Sequence, residues 1–178
     1  PQVECPDGSW LADTTPILQY FERTRPEPSF TPRDPATAFA SLLIEDYADE
    51  WLWRPAMHYR WSFPTTAALM SAWLAEHVRE RRAPEWMKRL YWRRRQHGTF
   101  VLGDGVTPAT RVAVEGAYLD TLATLEAVFA VRPFILGERP TAADFGFMAP
   151  LFRHFFCDPA PARIMRERAP AVHEWVAR

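Results

Sequence analysis

The chain is 178 residues long, enough for one sizeable core or two smaller ones, since typical domains span about 100 to 150 residues. Its 48% apolar and 24% charged residues are typical of a soluble globular protein, and its apolar runs are shorter than the roughly 20 residues that span a bilayer. The 21 basic and 22 acidic side chains nearly balance, so no bulk charge attracts the protein to nucleic acid or to a membrane. We therefore expect neither of these partners.

A short hairpin is predicted at the start of the chain. The pair Asp7-Gly8 separates two short strand-like segments, and Asp-Gly supplies the positive φ that tight hairpin turns need. Asp13 and Thr14 then stand before a proline and predict a helix over about 15–24. Pro26 ends this helix, because proline disfavours helical geometry in the residue before it.

The proline-rich segment 26–34 predicts a stiff, extended linker, because each proline fixes φ and removes a backbone donor. Asp34 then caps a long helix. Apolar side chains recur along this helix at helical spacing, namely Phe39, Leu42, Leu43, Tyr47 and Trp51. Acidic side chains form another face, namely Glu45, Asp46, Asp49 and Glu50.

The rest of the chain has the patterns of helices, and no convincing strand pattern follows residue 35. Further helices are predicted at about 65–82, 84–97, 107–130, 141–156 and 170–178. The sequence therefore predicts a mainly α protein with three parts, at residues 1–25, 26–34 and 35–178.

Thr141 and Asp144 have the spacing of a capping box at the start of the helix predicted at 141–156. In such a box the hydroxyl accepts from the backbone amide three residues later, while the carboxylate reaches back to the amide of the cap residue. We therefore assign a structural role to this pair.

Two cysteines, Cys5 and Cys157, lie far apart and form no CxxC pair, a pattern that favours a reducing compartment. We expect a cytoplasmic protein, and the first residues show no signal peptide. Both thiols are interpreted as buried and structural.

Two segments of the chain resemble the cytosolic glutathione transferase superfamily. The first, from Pro1-Gln2-Val3 through Asp7-Gly8 to Asp13-Thr14, is similar to the second half of the family's thioredoxin-like domain. The second, from Leu136 to Phe145, is similar to the start of the core helix in the family's all-helical domain. The resemblance implies that residues 1–25 form the C-terminal part of a thioredoxin-like domain and that residues 35–178 form the all-helical domain.

The resemblance also implies a glutathione site at the first helix. The γ-glutamyl end of glutathione carries an ammonium and a carboxylate, which suit a side-chain carboxylate, a hydroxyl and the amides of a helix N-terminus. Asp13 and Thr14 supply these groups, and Pro1, Gln2 and Val3 are expected beside them. From the residues alone, a plain helix cap is the favoured explanation of Asp13 and Thr14, and the family resemblance reverses this preference. Because Pro1 matches the family's cis-proline, we expect the catalytic Tyr, Ser or Cys in a segment that precedes it.

An electrophile pocket is expected along the long helix, as the family resemblance implies. The candidate lining residues are Trp53, Met57, His58 and Trp61. Ordinary core packing explains these aromatics equally well, although His58 and Arg60 would be unusual in an apolar core.

The most basic stretch of the chain is interleaved with Trp86, Tyr91 and Trp92, and comprises Arg79, Arg81, Arg82, Arg89 and Arg93 to Arg95. Such a stretch can form a nucleic-acid patch, but the balanced net charge and the helical spacing favour solvated helix faces. The five histidines lack metal-ligand spacing, so no metal is expected.

The leading functional hypothesis is a glutathione transferase, an enzyme of detoxification. It would bind glutathione as its co-substrate, transfer it to a small hydrophobic electrophile, and act as a homodimer. The alternative is a non-catalytic glutathione-transferase-like module for protein interaction or ligand carriage, since a fold does not fix a function.

Overall fold

A computed structural model describes residues 1–77 and 83–178, and most of them are helical. Arg79, Arg81, Arg82 and the end of the helix predicted at 65–82 lie outside the described residues. The elements in chain order are β1 (Gln2–Glu4), β2 (Trp10–Ala12), α1 (Thr14–Thr24), α2 (Pro35–Asp46), α3 (Trp53–Ser62), α4 (Pro64–His77), α5 (Glu85–His97), α6 (Arg111–Phe129), α7 (Ala142–Pro150), α8 (Pro159–Arg168) and α9 (Pro170–Ala177). π-helical turns extend α2, α5 and α7 at Tyr47–Trp51, Gly98–Leu102 and Leu151–Phe156.

The predicted hairpin is confirmed. Strands β1 and β2 pair antiparallel, with Val3 opposite Leu11. Gly8 has a φ of 80° in the turn, a conformation that glycine adopts without steric cost. The Cys5 amide donates to the Ser9 carbonyl at 2.8 Å and closes the turn. The hairpin therefore delivers the chain to the start of α1.

The linker folds back onto α1 instead of standing free. The Glu22 carboxylate accepts from the hydroxyl of Ser29 and from the amides of Phe30 and Thr31, at 3.4 and 3.3 Å for the two amides. These contacts attach the middle of the proline-rich segment to the helix that precedes it.

The long helix after the linker consists of α2, its π-helical turn and α3. Asp34 caps it as predicted, because its carboxylate accepts from the Thr37 amide at 2.8 Å. The face that packs inward carries Ser41, Glu45, Ala48 and Leu52. The predicted apolar stripe points outward instead, with exposed fractions from 38% to 68% at Phe39, Leu42, Leu43, Tyr47 and Trp51.

Helix α7 packs closely against α2. A Cβ added at Gly146 would lie 2.8 Å from the Glu45 Cα and 3.0 Å from the Glu45 carbonyl oxygen, so only glycine permits this approach. Glu45 is therefore buried, although its spacing placed it on the acidic face. Its carboxylate accepts from the Thr15 hydroxyl at 2.8 Å, which joins α2 to α1.

The main core lies between α3, α6 and the helices that follow α6. Tyr118 of α6 stacks on Phe155 with ring centroids 4.1 Å apart, and Tyr59 of α3 packs edge-on against Tyr118 at 5.2 Å. This aromatic centre fixes α3, and with it the side chains proposed for the electrophile pocket.

The end of the chain differs from the prediction at two points. Helix α8 was not among the predicted helices, and its Pro159 and Pro161 lie in the first turn, where proline is tolerated. Cys157 is exposed because the chain turns between α7 and α8 at that point, whereas Cys5 is buried as expected.

Two kinds of structural feature are absent from the described residues. None of the described helices is long and apolar enough to cross a membrane. Over the same ranges, no group of three or more His, Cys, Asp or Glu side chains is arranged to hold a metal ion.

Candidate functional site

Asp13 has an unusual backbone conformation at the start of α1. Its φ of 78° and ψ of 149° lie in a region that normally requires glycine, and such strain costs about 1–3 kcal/mol. Its Oδ1 accepts from the Thr14 amide at 2.7 Å, and its own amide donates to the Pro1 carbonyl at 3.2 Å. These contacts hold the carboxylate at the junction of the hairpin and α1. Residues with strained backbone conformations are common at ligand-binding sites.

The start of α1 has the groups that a zwitterionic ligand requires. Asp13 is exposed, Thr14 is half-buried, and the first amides of α1 lie at the positive end of the helix dipole. A carboxylate can accept from a ligand ammonium, while a hydroxyl and helix amides can donate to a ligand carboxylate.

A second carboxylate, that of Asp49, lies close to Asp13. Burial, and then the negative charges of Asp13 and Asp46, raise the pKa of Asp49 above its ordinary value. The sequence placed Asp49 only on the acidic face of the long helix. The two carboxylates interact although they are 36 positions apart in the sequence, so no local sequence signal could have revealed it.

The other residues predicted for glutathione lie on β1 or directly before it. Gln2 pairs with Ala12 and Val3 pairs with Leu11, while Pro1 precedes the strand. The structure therefore brings Pro1, Gln2, Val3, Asp13 and Thr14 together around the junction of the hairpin and α1.

Three of the four residues predicted for the electrophile pocket share one cavity. Trp53, Met57 and Trp61 line a space of about 160 Å³ whose other walls come mainly from α4 and from the turns after α5 and α7. His58 does not line this cavity. It borders a separate cavity of about 600 Å³, where its Nε2 lies 2.9 Å from Glu115 Oε1.

The side chains of α3 that line the smaller cavity recur every four residues. Trp53, Met57 and Trp61 each lie about 40° around the helix from the one before, on successive turns. With a rise of about 1.5 Å per residue, the series spans about 12 Å of the helix.

Arg60 and His58 are buried because each has an acidic partner. Arg60 Nε donates to Asp158 Oδ2 at 2.7 Å, and its Nη2 donates to Asp158 Oδ1 at 3.0 Å. Such a two-point contact satisfies the guanidinium in the core. The structure therefore gives Arg60 a structural role and explains why it occurs on a buried helix.

His154 also lines the smaller cavity, a role that the sequence did not suggest. Burial, and then the charges of Arg60 and Arg153, lower the pKa of His154 to about 3. The imidazole is therefore neutral near pH 7, and its Nδ1 has no hydrogen-bond partner among the described residues. Trp53 packs edge-on against it with ring centroids 5.8 Å apart.

Comparison with protein families identifies the class of fold. Residues 71–178 match the family model described as the C-terminal domain of glutathione S-transferase. The match spans more than half of the chain, which therefore belongs to the glutathione S-transferase superfamily. Its fold is mainly helical with a short two-stranded sheet, and residues 71–178 carry the family's all-helical domain.

Other comparisons add little to this assignment. The crystal structure of Gtt2 from Saccharomyces cerevisiae aligns with a TM-score of 0.47 and 18% sequence identity, over 99% of this chain and 68% of that chain. This likeness is too weak to carry an argument. The comparison with curated proteins finds no match.

Proposed function

We propose that this protein binds glutathione at Asp13 and Thr14 and transfers it to a hydrophobic electrophile held beside Trp53, Met57 and Trp61. Membership of the superfamily supports glutathione as the co-substrate. The observation that carries the proposal is the conformation of Asp13, a residue other than glycine that keeps a positive φ at a helix start. A plain N-cap requires no such strain, since its usual conformation is extended.

In the proposed reaction the thiolate of glutathione attacks the electrophilic carbon, and the leaving group departs with its bonding electrons. Asp13 accepts from the γ-glutamyl ammonium, while Thr14 and the amides of α1 donate to the adjacent carboxylate. Asp49 adds negative charge on the ammonium side. No residue in the described ranges is assigned to thiol activation, and the proposed cytoplasmic enzyme uses no metal.

Replacement of Asp13 by glycine separates binding from stability. Glycine adopts a φ of 78° without strain, so Asp13→Gly is expected to fold as well as the wild type or better. The loss of one charge-assisted contact should weaken glutathione binding about tenfold to hundredfold. Calorimetric titration of glutathione measures the affinity, and thermal unfolding measures the stability. Thr14→Val should likewise bind glutathione more weakly.

The matched control is Asp34→Gly, which removes the cap of α2 away from the proposed site. It should lower stability slightly and leave glutathione affinity unchanged. Folded Asp13→Gly protein that binds glutathione within twofold of the wild type would reduce Asp13 to a helix cap. Wild-type protein that binds no glutathione would favour the alternative function.

That alternative is a non-catalytic module for interaction or ligand carriage, and one observation favours it. An apolar groove of about 680 Å³ lies between α2, its π-helical turn and α6, with Leu43, Tyr47 and Val128 among its walls. A cavity of this size suits a small organic ligand. Glutathione-dependent turnover of a chloronitrobenzene would support the enzyme, whereas ligand binding without turnover would support the carrier.

We also propose that residues 26–34 separate two domains.

We propose further that two copies of the chain associate through the exposed apolar stripe of the long helix. The stripe is contiguous on α2 and its π-helical turn, and it consists of Phe39, Leu42, Leu43, Tyr47 and Trp51. An apolar surface of this kind on a soluble domain is typical of an interface. The two-fold pairing would place the same stripe on both sides.

A further inference from the structure

Helix α5 has an unusual position on the molecule, because none of its residues is buried. The side that contacts the rest of the protein carries Lys88, Trp92 and Gln96, which are half-buried and spaced four residues apart. This spacing defines the inward direction of the helix. The opposite side faces solvent from Trp86 to Arg94, while His97 at the end of the helix is half-buried.

The outward side of α5 is apolar. Trp86 is 67% exposed, Met87 46%, Leu90 42% and Tyr91 58%. At about 100° per residue these four side chains fall within an arc of about 140°, and the centre of that arc points almost directly away from Lys88, Trp92 and Gln96. An ordinary surface helix has the reverse arrangement, with its apolar side toward the core.

Positive charge borders this apolar arc on both sides. Arg89 and Arg93 lie along one edge, Arg95 lies along the other, and Arg94 falls within the arc in the last turn. Against these four exposed cations the helix has one carboxylate, Glu85, which pairs with Arg89.

We propose that the outward face of α5 docks on an anionic lipid surface. A helix with Trp and aliphatic side chains on one arc and with Lys and Arg at its margins is the type that lies in the plane of a membrane interface. Trp and Tyr prefer the headgroup level, and the cations face anionic headgroups. The helix would lie on the membrane and would not cross it.

This surface is better matched by lipid than by nucleic acid. Aromatic side chains can stack on bases and arginines can contact phosphates, but Met87 and Leu90 would gain no specific partner there. On a bilayer the same two side chains lose their contact with water. The near balance of charge over the whole sequence concealed the local excess of positive charge on α5. Under this proposal α5 does have a membrane partner, contrary to the expectation from the sequence, and its basic face is not only a solvated helix face.

Binding to vesicles tests the proposal with the full chain. Flotation should recover the protein with vesicles that contain about 30% phosphatidylserine in phosphatidylcholine, and not with pure phosphatidylcholine vesicles. Because the attraction to headgroups is screened by salt, the bound fraction should fall as ionic strength rises. The intrinsic tryptophan emission should shift to the blue as Trp86 leaves water.

Two double variants locate the docking face. Arg93→Gln with Arg94→Gln should weaken binding to the anionic vesicles about thirtyfold, since each near-surface cation contributes about 1 kcal/mol. Trp86→Gln with Leu90→Gln should weaken it by about tenfold or more, because apolar burial is lost. All four side chains are exposed, so both variants should keep the melting temperature of the wild type.

The controls carry charge-removing and tryptophan-removing changes elsewhere on the surface. Arg132→Gln with Arg139→Gln removes two exposed arginines outside α5, and Trp10→Gln removes an exposed tryptophan of the hairpin. Both should bind the vesicles like the wild type. The proposal is overturned if anionic vesicles fail to bind at low salt, if the α5 variants bind as well as the controls, or if fluorescence anisotropy shows that α5 binds single-stranded DNA while vesicles do not bind.

Discussion

At the scale of single residues, Asp144 combines more contacts than its capping motif requires. Its Oδ2 accepts from the Thr141 amide at 2.8 Å and from the Thr141 hydroxyl at 3.0 Å, and a capping box forms at the start of α7. Its Oδ1 accepts from the Ile135 amide at 2.9 Å, outside the helix. The same carboxylate therefore fixes both the helix start and the loop that precedes it.

Removal of this carboxylate should destabilise the protein without changing its affinity for glutathione. Asp144→Ala leaves the buried amides of Ile135 and Thr141 without partners, so we expect a loss of about 2–4 kcal/mol in the free energy of unfolding. The exposed cap variant Asp34→Ala should lose only about 1 kcal/mol. Chemical denaturation measures both values. Equal losses would mean that the contact with Ile135 contributes nothing.

His154 should make the stability depend on pH. Its pKa is lowered to about 3 in the folded protein, while an unfolded histidine titrates near 6.5. Between these values the unfolded chain binds the additional proton, so the free energy of unfolding should rise with pH by up to about 1.4 kcal/mol per unit and level off above about 6.5. His154→Gln should flatten this part of the profile, as followed by urea unfolding from pH 4 to 8. Parallel profiles for the two proteins would contradict the assignment.

The sequence reveals residues whose role depends on neighbours along the chain. Asp13, Thr14 and Asp144 stand at helix starts with capping patterns, and the structure places all three there. Asp49 and His154 could not be found this way, because their surroundings come from α1, α3 and the turn after α7. Long-range packing, unlike capping, leaves no local pattern.

At the scale of elements, the close packing of α7 on α2 depends on a glycine, Gly146, at the point of contact. Gly146→Ala would place a methyl group 2.8 Å from the Glu45 Cα, in backbone that cannot move aside freely. We expect a loss of about 1–3 kcal/mol from this overpacking. Gly116→Ala, on α6 with nothing within 4 Å, should instead stabilise the protein by about 0.5–1 kcal/mol. The melting temperature should fall for Gly146→Ala and rise for Gly116→Ala. A rise for both variants would contradict the close approach of α7 to α2.

Element boundaries were predictable where caps and turns mark them, as at Gly8, Asp13 and Asp34. The inward face of α2 was not predictable, since periodicity shows that a stripe exists but not which partner covers it. The residues that face α7 are small or polar, and the Thr15 hydroxyl satisfies Glu45. Helix α8 was not predicted, and its two prolines lie in the first turn, where proline is tolerated.

At the scale of the whole molecule, the exposed stripe of the long helix should control association. Leu42→Glu with Leu43→Glu places two charges in the middle of this stripe and should shift a dimer toward monomer by about 100-fold or more in the dissociation constant. Val131→Glu, at an exposed valine after α6, is the control and should leave the dimer intact. Sedimentation velocity at micromolar concentration measures the result. A wild-type protein that is entirely monomeric would exclude the proposed homodimer.

The family was predictable from two short segments, because the hairpin with its helix cap and the capping box occur in the right order and at the right separation. The distribution of charge was not predictable from composition. Acidic groups gather near Asp13 and Asp49, whereas cations gather on α5, and a near-zero total conceals both. Only the fold shows that these groups occupy separate surfaces.

The contacts of Glu22 bear on how fast the proline-rich segment is cut by proteases and exchanges its amide hydrogens. A proline-rich segment between two units is ordinarily where proteases cut first and where amide hydrogens exchange fastest. Here the amides of Phe30 and Thr31 donate to a carboxylate on α1, which holds the middle of the segment against that helix. Exchange at these two amides should therefore be slower in the wild type than in Glu22→Gln, and proteolytic cuts near Phe30 should be faster in that variant.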